Sequence, residues 1–438
     1  MIYRAAPGTM MTPEVLSKYI GQHKAEVGKR LRGLDSAYRG DYDIFHRTRK
    51  PAWKPDNRIS FGFAKYIIDT MNGYFMGIPV RISHQDTATT EYLDFLKQYN
   101  GLEDINAELG KLCDTFGTGN EIYYLDEDGK PCIQQVSPME SFMIYDDSIL
   151  EKPMFFVRYY RDANNVERGS WSDASIIQHF VRNGSYAWDG EPSEHHFDGV
   201  PATEFVENEE RLGLLDGVMS AINAFNKAIS EKANDVDAFA DAYLKILGAQ
   251  IDNKDLQFIR DNRIINIPDA SEGLVAEFLQ KPSSDETQEN LLDRLYNGIF
   301  QMSMVADLSD TSFSGNASGV ALKFKLQAMS NLADSKKRKF EAALNRRYRV
   351  LFSNPACPLP PDSWIGIDYE FTKNLPANVL EESEIARNLE GIVPKETQLK
   401  VLSVVDNVQD AMDRLAEEGV QTPMIDPAVF ERSVANDE

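Results

Sequence analysis

Two apolar stripes at helical spacing, separated by a short insert, constrain this chain more than any other feature. Val218, Ile222, Phe225, Ile229, Val236, Phe239, Tyr243 and Ile246 fit one stripe, with a weak point at Lys232-Ala233. They predict a single helix of roughly 30 residues or more, about 45 Å at 1.5 Å per residue, with Gly248 as its C-cap. Leu291 or Leu292, Leu295, Ile299 and Met302 mark a second helix, opened by a capping box of Ser283 and Glu286. Between them lie residues 249–282, with strand-like runs at 264–267 and 274–279. Two such helices must run roughly antiparallel to carry the insert at one tip. A compact enzyme rarely places a small module there; an elongated assembly subunit does.

The flanking regions read as α+β. Apolar positions over 9–35 follow helical spacing, with Thr12-Pro13 as N-cap and first helical residue. Residues 40–58 look extended and surface-lying, 59–76 helical, and 80–82 the start of a strand. A helix over 102–118 precedes the strand-like runs EIYYL, CIQQV, SFMIY, MFFVRYY, SIIQHFV and ATEFV. Asp128-Gly129 is a hairpin signal between the first two. Residues 59–208 therefore predict a largely antiparallel sheet domain.

A third long helix is expected over 320–352, after a loop with no bulky aliphatic residue from Ser309 to Gly319. Its stripe is Leu322, Leu326, Met329, Ala333, Phe340, Leu344, Tyr348 and Leu351, and Lys336 occupies the turn skipped between Ala333 and Phe340. This helix is strongly basic, in a chain whose formal net charge is −23. Tight nucleic-acid binders are usually basic, because Lys/Arg–phosphate contacts supply most of their affinity. The acidity therefore excludes a tight grip on DNA over the whole surface but not loose, sliding contact. Pairing of the basic helix with acidic neighbouring subunits is favoured over DNA binding. A proline-containing linker spans 353–363, a strand-like run 365–371, and short acidic amphipathic helices 378–419.

Catalytic signals are weak. The segment 314–319, SGNASG, lies just before a helix but lacks the Lys-Ser/Thr ending of a phosphate-binding loop and a preceding strand. His195-His196 with His179, Glu194 and Asp198 is better read as structural or solvated than as a metal site. Asp126 to Gly129 is too short for a calcium loop. The three cysteines Cys113, Cys132 and Cys357 have no metal or disulfide spacing, which points to a reducing compartment. No signal peptide or membrane span is expected, nor any cofactor or metal.

Taken in order, four stretches carry a family resemblance: NRISFGFAKYIIDTMNGYFMGIP at 57–79, FGTGNEIYY at 116–124 with a hydrophobic stretch after Pro138, FDGVPATEFVENEERLGLL from Phe197, and FSGNASGVALKFKL from Phe313. Together the chain resembles the portal (connector) proteins of long-tailed, siphovirus-type bacteriophages over residues 57–420. The resemblance implies a non-enzymatic, elongated multi-domain α+β subunit of a ring-forming fold. Its parts would be a wing (1–210, and 319–375 with the long basic helix and strand), stem helices (211–247 and 283–307), a clip (248–282), a tunnel loop (308–318), a helical crown (376–420) and a loose tail (421–438). It implies a dodecameric ring of this chain at one vertex of the phage head, assembled in the host cytoplasm and carried in the virion, through which double-stranded DNA passes non-specifically during packaging and ejection. Implied partners are the terminase large subunit, the head–tail adaptor, and the scaffolding and major capsid proteins, with no membrane. Tunnel-loop residues Ser309, Asp310, Thr311, Ser312, Phe313, Ser314, Gly315 and Asn316 would face DNA. Clip residues Asn253, Asp255, Arg260 and Arg263 would dock partners, and Lys336, Lys337, Arg338 and Lys339 would join subunits. The alternatives are another structural virion protein, such as an adaptor or coat subunit, or a nucleotide-binding hydrolase using 314–319.

Overall fold

In a computed structural model, the structure describes residues 2–52, 54–240, 244–247, 275–278, 285–309, 323–374, 379–402, 404–405 and 408–421. They divide into two units, one of residues 1–308 with 326–374 and one of 309–325 with 375–438.

In the first unit, strand β1 (Tyr3–Ala5) leads to helix α1 (Pro13–Glu26), a π-helical turn (Val27–Leu31), α2 (Arg32–Tyr38) and α3 (Asp43–His46). Thr12 caps α1 through its side-chain oxygen, which accepts from the Val15 amide at 3.3 Å, with Pro13 in the first turn. Then come α4 (Phe63–Met76), β2 (Arg81–Ser83), α5 (Thr87–Asn100) and α6 (Leu102–Phe116). Strands follow as β3 (Thr118–Leu125), β4 (Pro131–Val136), β5 (Ser141–Asp146), β6 (Pro153–Arg161), β7 (Glu167–Ser172), β8 (Ile176–Asn183), β9 (Ser185–Trp188), β10 (Ser193–Glu194) and β11 (Ala202–Val206). The larger sheet runs β1-β5-β6-β7-β8-β10, with β9 also on β8. Only the β1–β5 pair in it is parallel. Helix α1 covers one face, burying Leu16 and Ile20 with Phe142, Val157 and Phe180. The smaller sheet is β11-β3-β4. Met143 and Phe156 of the larger sheet cluster with Val200 and Ala202.

Helix α7 (Met219–Ala240), strands β12 (Leu244–Leu247) and β13 (Val275–Phe278), and helix α8 (Asp285–Ser303) complete the next part of the chain. The helices are antiparallel: Lys232 pairs with Glu289, Gln288 donates to Asp235 at 2.9 Å, and Phe225 lies 6.4 Å from Tyr296. The expected single helix through Ile246 is corrected here. Leu244–Leu247 leaves the helix and pairs antiparallel with Val275–Phe278, because strand pairing satisfies both backbones where the chain enters and leaves the insert. The strand within 274–279 matches expectation; 264–267 and the Ser283 cap lie outside the described residues.

Helix α9 (Gln327–Phe352) is the basic helix, and β14 (Asp368–Glu370) pairs with β2. Every described apolar member of its stripe is buried, from Leu326 and Met329 through Phe340 and Leu344 to Leu351. In the second unit the described helices are α10 (Val379–Asn388), α11 (Lys395–Leu399) and α12 (Val408–Gln421), where short helices were expected.

The helix expected from residue 59 starts at Phe63 instead. Residues 57–61 stay extended because α7 takes their backbone: the amides of Asn57, Ile59 and Phe61 donate to Asn234, Ser230 and Asn226 at 2.6, 2.9 and 2.9 Å. The match is geometric. Two residues of extended chain rise roughly 6.6 Å, and four residues of helix about 6.0 Å.

Candidate functional site

The basic helix is the sequence feature with the strongest functional promise, and the structure divides its charges into two sets. The first set is buried. Lys336 is 0% exposed, and its ammonium donates to Asp114 at 2.5 Å and to the Gly110 carbonyl at 3.0 Å, with Glu207 at 3.2 Å. It also sits 5.1 Å above the Phe75 ring. Arg347, equally buried, donates to Glu121 through Nε at 2.9 Å and Nη2 at 2.7 Å, and to Asn106 at 2.8 Å. Tyr123 donates to the same carboxylate. Arg346 reaches the Val200 and Ala202 carbonyls, at 3.2 and 3.3 Å. These charges tie α9 to α6, β3 and β11 inside one chain.

The turn between α6 and β3 makes this seam possible. Gly117 ends α6 with φ +84°, and a Cβ there would stand 2.2 Å from the Arg211 carbonyl oxygen. Only glycine allows that backbone conformation and approach together. The segment 207–216 then crosses beneath. Arg211 pairs with Glu204 at 2.8 Å and Arg30 with Asp216 at 2.5 Å.

One ammonium facing two buried carboxylates leaves an excess negative charge. Burial pushes the Asp114 carboxyl up to about 8, with Glu207 adding to it and the Lys336 ammonium opposing it. Burial works against charge on Lys336, but Asp114 and Glu207 outweigh it and hold its pKa above the ordinary lysine range. The ammonium therefore stays charged, and Asp114 takes up a proton at neutral pH. Asp114 Oδ2 and both Glu207 oxygens have no hydrogen-bond partner among the described residues. The trio holds the helix in place and has no exposed face to offer a substrate.

Lys336 is thereby corrected: it is an internal pairing residue, not a subunit-interface residue, because its own chain surrounds it. Lys337, Arg338 and Lys339 lie at the surface or half-buried, with Lys337 3.6 Å from Glu341 and Lys339 paired with Glu209. Of the residues expected in a tunnel loop, Ser309 is exposed. Asp310, Thr311, Ser312, Phe313, Ser314, Gly315 and Asn316 lie outside the described residues, as do Asn253, Asp255, Arg260 and Arg263. His195 is buried, with Nε2 3.1 Å from the Asp173 carbonyl and Nδ1 accepting from the Phe197 amide. Among the described residues, no cluster of His, Cys, Asp and Glu is placed to hold a metal ion. All three cysteines are free. No described helix is long and apolar enough to cross a membrane.

Comparison with known proteins decides the family. The family model described as "Phage portal protein, SPP1 Gp6-like" matches residues 17–422. The chain belongs to that family. The portal protein of Clostridium phage phiCD119 is 24% identical over 405 residues, covering 86% of this chain and 88% of that protein. The portal protein of Bacillus phage SPP1 is 22% identical over 450 residues, covering 94% of this chain and 87% of that protein. A solved chain from the neck of an empty GTA particle, computed with C6 symmetry, superposes with a TM-score of 0.50 at 13% identity, covering 77% of this chain and 89% of that chain. That likeness concerns the mixed helix-and-sheet fold alone. The match from residue 17 includes the buried seam, α7, α8 and α9, so these are parts of a phage portal subunit. The adaptor, coat and hydrolase alternatives are not favoured.

Proposed function

We propose that this protein forms the ring-shaped DNA channel at the head vertex of a phage particle, with twelve copies in the ring. It conducts double-stranded DNA in during packaging and out during ejection, without sequence preference and without catalysis of its own. The observation that carries this is the family match across residues 17–422, with relatives named as portal proteins that align over more than 85% of this chain and of their own length. The antiparallel pair α7 and α8 joined to the β12–β13 ribbon supports a stem and clip reading. The clip, through Asn253, Asp255, Arg260 and Arg263, docks the terminase large subunit and the head–tail adaptor. Scaffolding and major capsid proteins surround the ring, which assembles in the host cytoplasm and remains in the virion. The loop from Ser309 to Asn316 faces the DNA, where small polar side chains touch the duplex without holding phosphates, and a net charge of −23 keeps contact loose. Lys337, Arg338 and Lys339 meet a neighbouring subunit. Negative-stain imaging of the purified chain tests this reading: rings with a central hole are expected, and uniformly monomeric protein would refute it.

A further inference from the structure

The hairpin of β5 and β6 carries an exposed apolar knob at its tip. Ile149 is 99% exposed and Leu150 69%. Tips normally bear Gly, Asn, Asp or Ser, and aliphatic pairs there are unusual. Nor is this tip loose. Asp146 accepts from the Ser148 hydroxyl at 2.8 Å and the Lys152 amide at 2.9 Å, and its own amide donates to the Lys152 carbonyl at 2.8 Å. The Glu151 amide donates to the Ser148 carbonyl at 3.1 Å, its φ is +43°, and Arg4 pairs with its carboxylate. Several bonds hold two aliphatic side chains out in water.

The base of the same hairpin lines a cavity of about 390 Å³. Ile122, Tyr124 and Val136 give it an apolar side, Gln134, Gln135, Ser137 and the exposed Glu140 a polar one, and Arg158 completes it. Arg158 Nε is buried without a hydrogen-bond partner among the described residues, and its guanidinium lies 4.9 Å over the Tyr160 ring. The cavity also adjoins β4, an outer strand of the smaller sheet. It is within the ~300–1,000 Å³ range of small-molecule pockets, and the Arg158 guanidinium at one side leaves its buried Nε without an acceptor among the described residues. The exposed Asp147 stands two residues from Ile149 and matches that cation in charge.

Knob and cavity lie at opposite ends of β5, whose six residues span roughly 20 Å at ~3.3 Å each. A chain therefore cannot fill its own cavity. A contact between two different patches of identical subunits is heterologous, and it closes into a ring when the rotation allows. We propose that Ile149 and Leu150 of one copy insert into the Ile122–Tyr124–Val136 cavity of the next, with Asp147 facing Arg158. This deepens the ring reading above and rests on it.

The test uses the full chain. Ile149→Ser with Leu150→Ser alters only exposed side chains, so the melting temperature should hold, while the ring fraction in sedimentation velocity should fall at least tenfold at equal concentration. A second variant, Leu150→Cys with Gln134→Cys in a Cys132→Ser background that removes the free thiol beside the cavity, should give an oxidant-dependent ladder of cross-linked multimers absent from either single cysteine variant in that background. Native-like rings in the serine variant, or rings without a ladder in the cysteine variant, would overturn this contact while leaving the ring reading intact. An unaltered chain that forms no rings at all would overturn both.

Discussion

Lys336 shows how much one side chain carries. It is the ammonium between two fully buried carboxylates, and removing it would leave Asp114 and Glu207 facing each other without a cation. Lys336→Met is therefore expected to cost about 3–5 kcal/mol, the usual penalty for breaking a buried pair on one side, measured by denaturant unfolding. Asp114 gives the same trio a pH dependence. Its folded pKa is about 8 against an ordinary 3.8, so the folded chain binds the extra proton between those values. Its stabilising effect is complete below the lower value and is lost as pH rises through about 8. Unfolding followed from pH 7 to pH 9 should show falling stability, and Asp114→Asn should flatten that slope. His23 acts at the other end. Its Nε2 donates to the Pro138 carbonyl at 2.9 Å and its Nδ1 accepts from Tyr159 at 2.8 Å, so it is held neutral. Burial lowers its pKa to about 4, so stability should also fall between about 6.5 and 4, and His23→Gln should remove that component. One hint of the trio was legible: Lys336 stands on the apolar stripe, three residues after Ala333 and four before Phe340. Nothing in the sequence named Asp114 and Glu207 as its partners.

At the scale of elements, the contact between α7 and residues 57–61 is a side-chain ladder in place of a strand. Asn226, Ser230 and Asn234 are all buried and spaced one helical turn apart. Replacing all three with alanine should raise hydrogen exchange at the amides of Asn57, Ile59 and Phe61 by an order of magnitude or more. The amides within α7 should stay protected, because their acceptors are in its own backbone. Periodicity missed this device because a polar stripe on a helix normally reads as a solvated face. It missed α5 and β7 for related reasons. TATTEYLDFLKQYN begins with β-branched threonines and depends on the Asp86 cap, which accepts from the Thr89 amide at 2.9 Å. ERGSWS has little apolar alternation, and it is a strand because β6 and β8 flank it and Gly169 admits a close approach to Arg158. Apolar strands such as β5, β6 and β11 were legible, since burial and local propensity agree in them.

At the scale of the whole molecule, the proposed channel turns on assembly. If the loop 309–318 faces DNA, its deletion should leave rings intact in negative stain and lower packaged DNA per particle severalfold in a complementation assay. Normal packaging would refute that role. Reversing the surface charges Lys337, Arg338 and Lys339 to glutamate should weaken rings if α9 meets a neighbour, without the stability loss expected for Lys336. The two experiments separate a role in conduction from a role in assembly.

By itself the sequence determined the mixed helix-and-sheet class, the places of the main helices and apolar strands, and the family likeness. Those rest on local periodicity, caps and ordered motifs, which neighbouring residues along the chain set together. The tertiary structure decided which charges of the basic helix are internal, that the chain after α7 forms a strand, and how residues 57–61 are held. Each depends on partners roughly 30 to 230 positions away, such as Lys336 with Asp114 or Leu247 with Val275. Burial and pairing at such separations follow from three-dimensional packing, and local spacing carries no record of them.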